Sequence, residues 1–218
     1  MIPATILVIA KEPRPGHAKT RLCPPCTPQE SAAIATAALF DTFETVARTP
    51  VRRRIAVLDG RAGRWLPAGF EVVPQSSGRL AQRLGAAFAG TDGPTVLVGM
   101  DTPQLTSPLL TGALIDLMVS DAVLGRACDG GWWAIGLHHP DARVFDGLPM
   151  STAQTGSRQL ERLRKLGLRT HVLPELRDVD HFSDARAVAA AMPPNSRFAR
   201  TVETVSRAIE RRVPEPAQ

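Results

Sequence analysis

Four clusters of polar residues in this sequence have the composition that phosphate and metal chemistry needs. The first is a basic stretch, residues 11–21, with Lys11, Arg14, Gly16, Lys19, Thr20 and Arg21. Lysine point charges, the planar arginine fork and the exposed backbone N–H groups of a Gly-containing loop together suit a polyphosphate. The stretch is not a Walker A loop, because G-x-x-x-x-G-K-[ST] is absent. A solvated basic loop is the plainer alternative. The second cluster is Gly99-Met100-Asp101-Thr102-Pro103. A carboxylate just past an apolar strand can hold a hard divalent cation that bridges phosphate oxygens; it can equally form a turn or cap a helix. The third is Asp178-Val179-Asp180, where two carboxylates one residue apart can share a metal, or Asp180 can cap the next helix. The fourth is Asp129-Gly130-Gly131, whose glycines permit a close backbone approach to a ligand or simply make a hairpin turn.

These clusters need a frame that brings them together. Residues 4–10 (ATILVIA) form a continuous apolar run, expected of a strand covered on both faces. Thr27-Pro28-Gln29-Glu30 reads as a capping box with Pro in the first turn, opening a helix to about Arg48 with Leu39, Phe43 and Val46 on one face. Strands are expected at 54–58, 70–74, 95–99, 121–127, 132–137 and 169–173. Helices are expected at 80–89, 107–118 with Ser107 as cap, 152–166 ending at Gly167, 182–192 and 198–211. Strand–helix alternation with buried strands predicts a three-layer α/β/α sandwich with a mostly parallel sheet, and the Gly130 turn adds an antiparallel hairpin. One domain over residues 1–212 is expected, with a disordered tail at 213–218. In open sheets of this class ligands bind beyond the carboxyl ends of the strands, which is where the first three clusters fall; the fourth could line an acceptor side of the same site.

Composition narrows the ligand. The net charge of +5 is compatible with a phosphate-bearing partner. Scattered basic residues, no Tyr and no reader motif argue against nucleic acid. No apolar run is long enough to span a bilayer, and the N-terminal segment reads as a strand rather than a signal peptide, so a cytoplasmic protein is expected. Cys23 and Cys26 make a C-P-P-C pair without a second pair to complete a zinc site; a plain loop is the expectation, with metal or redox use as alternatives. The sequence leaves homo-oligomerisation open.

In order along the chain, K-x-P-x-P-G-x-x-K-T-R-L, G-x-D-x-P-x-L, D-G-G-x-x-x-I-G-L and D-V-D resemble the bacterial DUF2064 family, of the GT-A or nucleotide-diphospho-sugar transferase type, over about residues 6–185. The resemblance implies Asp101 as a ligand of Mg²⁺ or Mn²⁺, with Asp178 or Asp180 as second ligand, and Lys11, Lys19 and Arg21 as phosphate binders. Gln75 and the following Ser77-Gly78-Arg79-Leu80 match a block near the base or acceptor. The acceptor side would include Gly130, Gly131, Trp132, Ser151 and Thr152. Relatives often carry Tyr after D-G-G and Trp before the Ser-Thr pair; here Trp132 and Met150 stand instead. The expected activity is metal-dependent glycosyl transfer from a nucleotide-sugar donor to a small-molecule acceptor, with Asp129 as general base. The alternative is a nucleotidyltransferase that joins an NTP to a phosphorylated small molecule and expels pyrophosphate, Lys19 or Arg21 steadying the α-phosphate. A third reading is a nucleotide-binding module without turnover.

Overall fold

A computed structural model describes residues 1–212 of the chain, so the tail expected at 213–218 lies outside the described residues. Seven strands join one sheet in the order β3-β2-β1-β4-β6-β5-β7. They are β1 (Ile2–Lys11), β2 (Val51–Asp59), β3 (Glu71–Pro74), β4 (Thr95–Val98), β5 (Ala122–Ala127), β6 (Trp132–Leu137) and β7 (Thr170–Leu176). The pairs β1/β2, β2/β3, β1/β4 and β5/β7 are parallel, whereas β6 runs antiparallel to both β4 and β5. The β5–β6 hairpin is the antiparallel insertion that the Asp129-Gly130 turn predicts. Because β6 alone is reversed, its start shares a rim with the ends of β1, β4, β5 and β7.

The expected sandwich follows from how β1 is buried. Ile6, Val8 and Ala10 face one apolar cluster, with Phe43 and Leu114 of the helices α1 (Pro28–Arg48) and α3 (Ser107–Val119). Leu7 faces the other, with Leu84 of α2 (Leu80–Ala89) and Leu163 of α4 (Thr155–Lys165). A strand buried on both faces has no polar side to alternate, hence the unbroken apolar run. A third cluster packs α5 (Phe182–Ala191) and α6 (Arg197–Arg212) against α1 through Ile34, Val188, Phe198 and Val202. Among the described residues no helix is long and apolar enough to cross a membrane.

Local signals set most element ends. The capping box closes as expected: Glu30 N–H donates to Thr27 Oγ1 at 3.2 Å and Thr27 N–H to Glu30 Oε2 at 2.8 Å. At the end of α4, Gly167 takes φ 75°, and Leu168 N–H reaches Leu163 O at 3.1 Å, a Schellman closure. Two expectations need correction. Thr106, not Ser107, caps α3, since its hydroxyl accepts from Leu109 N–H. Helix α4 starts at Thr155 rather than Thr152, because residues 152–154 form a turn in which Thr155 Oγ1 accepts from Thr152 N–H. The first slip is a choice between adjacent hydroxyl residues, which differ little in capping strength; the second is a boundary error of three residues.

Glu30 also takes a fork from Arg212, at 2.6 and 2.9 Å, tying the end of α6 to the start of α1. The Arg212 hydrogen bonds are the main cause that holds its carboxyl near pKa about 2, with the Thr27 bonds adding to them. A lowered carboxyl pKa contributes stability that is full above the ordinary value and fades as the pH falls towards 2. Glu30→Gln keeps the capping geometry and removes the charge. It should melt below the wild type at pH 7, and the gap should close between pH 5 and pH 2; a gap independent of pH would contradict the pairing.

Candidate functional site

The sheet rim carries an open cleft of about 680 Å³. Its walls come from the ends of β1 and β4, the loop after β7, the turn before β6, the start of α2, and the segment preceding α4. Of the residues expected from sequence, Lys11, Lys19, Arg21, Gln75, Asp101, Asp129, Gly131, Trp132, Ser151, Thr152, Asp178 and Asp180 line it. Arg14, Gly16, Thr20, Arg79 and Gly130 do not. Leu80 and Met150, from the blocks expected near the base and the acceptor, line it too, and His17, Arg83 and Leu84 line it without having been anticipated as site residues.

The acidic centre is assembled by backbone as much as by side chains. Val179 N–H donates to Asp101 O at 2.9 Å, binding the loop after β7 to the loop after β4. Val179 is buried while Asp178 and Asp180 flank it at the cleft. Lys19 reaches into this centre from the β1 loop. Its Nζ lies 2.6 Å from Asp101 Oδ1 and 3.9 Å from Asp180 Oδ1 and donates to Val179 O, and its side chain is only 8% exposed. Arg21 Nη1 donates to Asp180 Oδ2 at 2.8 Å. Ser31 at the start of α1 holds the loop from behind, donating from Oγ to Lys19 O at 2.6 Å. Lys19 itself sits at φ 52°, ψ 39°, a left-handed conformation that a lysine adopts at a cost of about 1 kcal/mol or more. Ser151, on the facing wall, is the second non-glycine residue with positive φ, at 60°. Strain of this kind persists where surrounding contacts over-determine the backbone.

Asp178 is the unusual carboxylate. Burial, then the charges of Asp101 and Asp129, push its pKa up to about 7, and Lys19 only partly opposes them. Its Oδ1 is buried and has no hydrogen-bond partner among the described residues. Four carboxylates (Asp101, Asp129, Asp178, Asp180) thus share the centre with two cations, Lys19 and Arg21. Fully ionised, the group is two negative charges out of balance. An orphaned acceptor within an excess of carboxylate charge fits a divalent cation. Among the described residues no group of three or more His, Cys, Asp or Glu side chains is placed to hold a metal ion, so at most two side chains would ligate one. That donor set suits Mg²⁺, which commonly takes one or two carboxylates and completes its shell with phosphate oxygens and water.

The opposite wall is built on glycines. Asp129 Oδ1 accepts from Gly131 N–H at 2.7 Å, and Gly130 takes φ 88°. The close approach these glycines allow is to the protein's own chain: Gly156 N–H donates to Gly130 O at 2.8 Å, and a Cβ on Gly130 would lie 2.0 Å from Ala153 O. The hairpin turn thereby seats the segment carrying Ser151 and Thr152.

Gln75 lines the cleft with its side-chain amide already engaged by the protein. Its Nε2 donates to Ala10 O at 2.8 Å and Val57 O at 3.3 Å, and its Oε1 accepts from Arg83 Nη1 at 2.9 Å. Both ends of the amide are committed within the protein. The signal for Arg83 lay in the periodicity of α2: it stands three residues after Leu80 and beside Leu84, both of which line the cleft. Cys23 and Cys26 are free cysteines outside the cleft. Burial, aided by the charges of Glu30 and Cys23, pushes the Cys26 thiol up to about 11, so it carries little thiolate at neutral pH.

Comparison with known proteins bears on the fold and the family. A crystal structure of a candidate nucleotide-diphospho-sugar transferase from Desulfovibrio desulfuricans G20 aligns with a TM-score of 0.86 at 26% identity, over 97% of this chain and 98% of that one. A cytidylyltransferase from Leptospira borgpetersenii aligns over the whole of both chains with a TM-score of 0.57 at 13% identity. The CTP complex of CMP:2-keto-3-deoxy-manno-octonic acid synthetase gives 0.54 at 13%, over 87% of this chain and 98% of that one. These last two share the fold. No curated protein matches the sequence. The sequence pattern of DUF2064, described as an uncharacterized protein conserved in bacteria, matches residues 39–152, and the chain belongs to that family.

Proposed function

We propose that residues 1–212 act as one metal-dependent transferase unit on a nucleotide or nucleotide-sugar, and that the reaction is glycosyl transfer from a nucleoside-diphosphate sugar. The observation that carries this reading is the orphaned Asp178 Oδ1 beside Asp101 in an over-acidic, open cleft. The likeness to the Desulfovibrio structure supports the substrate class. Asp101 and Asp178 would hold Mg²⁺ or Mn²⁺, with Asp180 beside them. Such a cation neutralises charge that develops on a leaving diphosphate.

The chain's own residues do the rest. Lys19 and Arg21 keep the carboxylates from repelling one another and fix the Asp180 side chain. Gly131 N–H holds Asp129 Oδ1, so the carboxylate is oriented to take a proton from an acceptor hydroxyl. Trp132, Ser151 and Thr152 line the wall on which that acceptor would rest. A second reading is favoured by the basic β1 loop: a nucleotidyltransferase would bind an NTP over the same carboxylates and release pyrophosphate.

A panel of nucleotide-sugars with Mg²⁺ or Mn²⁺ tests the first reading by thermal shift and by turnover. A cognate nucleotide at about 100 times its Kd should stabilise the protein by about 2.7 kcal/mol. Asp178→Asn should lose most of that shift and more than about 100-fold in turnover, if the metal's share of transition-state stabilisation is about 3 kcal/mol or more. No binding and no turnover with any nucleotide-sugar would sink it. Pyrophosphate release from an NTP with a phosphorylated acceptor would select the second reading. Tight nucleotide binding without reaction, indifferent to Asp101→Ala, would leave a non-catalytic module.

A further inference from the structure

The cations around the cleft differ in how much charge they retain for a ligand. Lys19 is matched by Asp101 and Asp180, and Arg21 by Asp180. Elsewhere Arg53, Arg143 and Arg212 are forked onto Glu71, Asp141 and Glu30. Arg83 is held by an amide instead. Gln75 Oε1 accepts from its Nη1, and Gln75 can do so because its own Nε2 is anchored to the carbonyls of Ala10 on β1 and Val57 on β2. A neutral partner fixes the guanidinium without cancelling its charge. Arg83 Nε is buried and has no hydrogen-bond partner among the described residues, although the side chain lines the cleft. Leu80, Leu84 and Ile9 line the same wall, and apolar neighbours strengthen a charge–charge contact by excluding water.

We infer that Arg83, seated by Gln75, is the phosphate-binding arginine of this cleft and takes the diphosphate oxygens of the nucleotide on the wall between β1 and α2. A fixed guanidinium with an unmatched charge and an unused Nε–H is the donor set that bidentate phosphate recognition requires. Lys19 and Arg21 then serve the acidic centre, and Gln75 is a positioning residue that acts through Arg83. This inference rests on the reading of the cleft as a nucleotide site and assigns Arg83 an anion-binding role there, on the rim that Lys11 also lines.

The test is calorimetric titration of the full chain with inorganic pyrophosphate, with and without Mn²⁺, and with uridine as a phosphate-free control. Arg83→Met should weaken pyrophosphate binding about 10- to 100-fold, the scale of one charged hydrogen-bonded contact. Uridine binding should be unchanged. Arg83→Lys, which keeps the charge and loses the fork, should fall between the two and decides the matter if Arg83→Met does not fold. Gln75→Ala should weaken pyrophosphate binding in the presence of Arg83 and add nothing to Arg83→Met, which a merely structural role for Gln75 would not produce. Pyrophosphate bound equally well by wild type and Arg83→Met overturns the inference. If that binding also requires Mn²⁺ and is lost in Asp178→Asn, the metal reading stands while this one falls. Loss in Arg83→Met together with indifference to Mn²⁺ and to Asp178→Asn would do the reverse.

Discussion

Lys19→Met should lower the melting temperature by about 5–10 °C at pH 7 and leave a protein that divalent cations re-stabilise. Methionine retains the apolar stem, so the loss is that of the ammonium and its contacts with Asp101, Asp180 and Val179. Removing one partner of a buried ion pair costs about 3–5 kcal/mol. The Asp101 and Asp180 side chains are 43% and 30% exposed, and water screens part of that. A cost of about 2–3 kcal/mol remains, at about 2–4 °C per kcal/mol for a chain of this size.

The pH dependence gives this prediction its sign. Lys19 opposes the rise in the Asp178 pKa, so its removal must push that pKa above about 7. A carboxyl with a raised folded-state pKa favours folding at low pH and loses that contribution as the pH climbs through the folded value. The deficit of Lys19→Met relative to wild type should therefore be greatest above neutrality and shrink towards pH 4. Millimolar Mn²⁺ should narrow it at pH 7, because the cation replaces the lost positive charge among the same carboxylates. A deficit equal at pH 4 and pH 8 and untouched by Mn²⁺ would mean that Lys19 acts only through packing.

Lys19 also marks where sequence reasoning stops. Its type and its place after an apolar strand were legible, and so was the functional rim: β1, β4 and β7 are apolar or β-rich runs each followed by a charged cluster. The capping box at Thr27 and the turn at Asp129-Gly130 were legible because their partners lie within a few residues. What Lys19 touches was not. Asp101 and Val179 come beside it only because β4 pairs directly with β1 and the loop after β7 hydrogen-bonds to the loop after β4. Strand order is a property of the whole chain, and no local period encodes it. For the same reason a lysine matched by carboxylates reads, in one dimension, like a lysine awaiting phosphate. Gln75 and Arg83 show the complementary failure. Both line the cleft, yet their contact runs from just past β3 to α2, so neither the pairing nor the place of Arg83, which reads as part of a helix face, is encoded by a local period.

Gly130→Ala should be among the most damaging single-methyl additions in this chain, although its new Cβ would meet neither a carboxylate of the acidic centre nor Arg83. The new Cβ would lie 2.0 Å from Ala153 O and 2.8 Å from Ala153 Cα. The obstruction is backbone, which cannot rotate aside as a side chain does. The φ of 88° adds strain that any side chain would feel. About 1 kcal/mol of strain and about 1–3 kcal/mol of overpacking suggest a cost near 3 kcal/mol, or a melting temperature lower by about 6–12 °C. Relief can come only by separating the turn from residues 153–156, which breaks the bond from Gly156 N–H to Gly130 O and moves the wall that carries Ser151 and Thr152. Amide exchange at Gly156 should therefore accelerate in the variant even after the overall loss of stability is allowed for. Gly147→Ala is the control, since that residue has a similar φ of 71° with no atom near its Cβ and should lose only the strain. Equal losses in the two variants would show that backbone conformation alone, and not the contact between the hairpin and the start of α4, sets the cost. The Asp129 turn would then be free to move independently of the wall that carries Ser151 and Thr152.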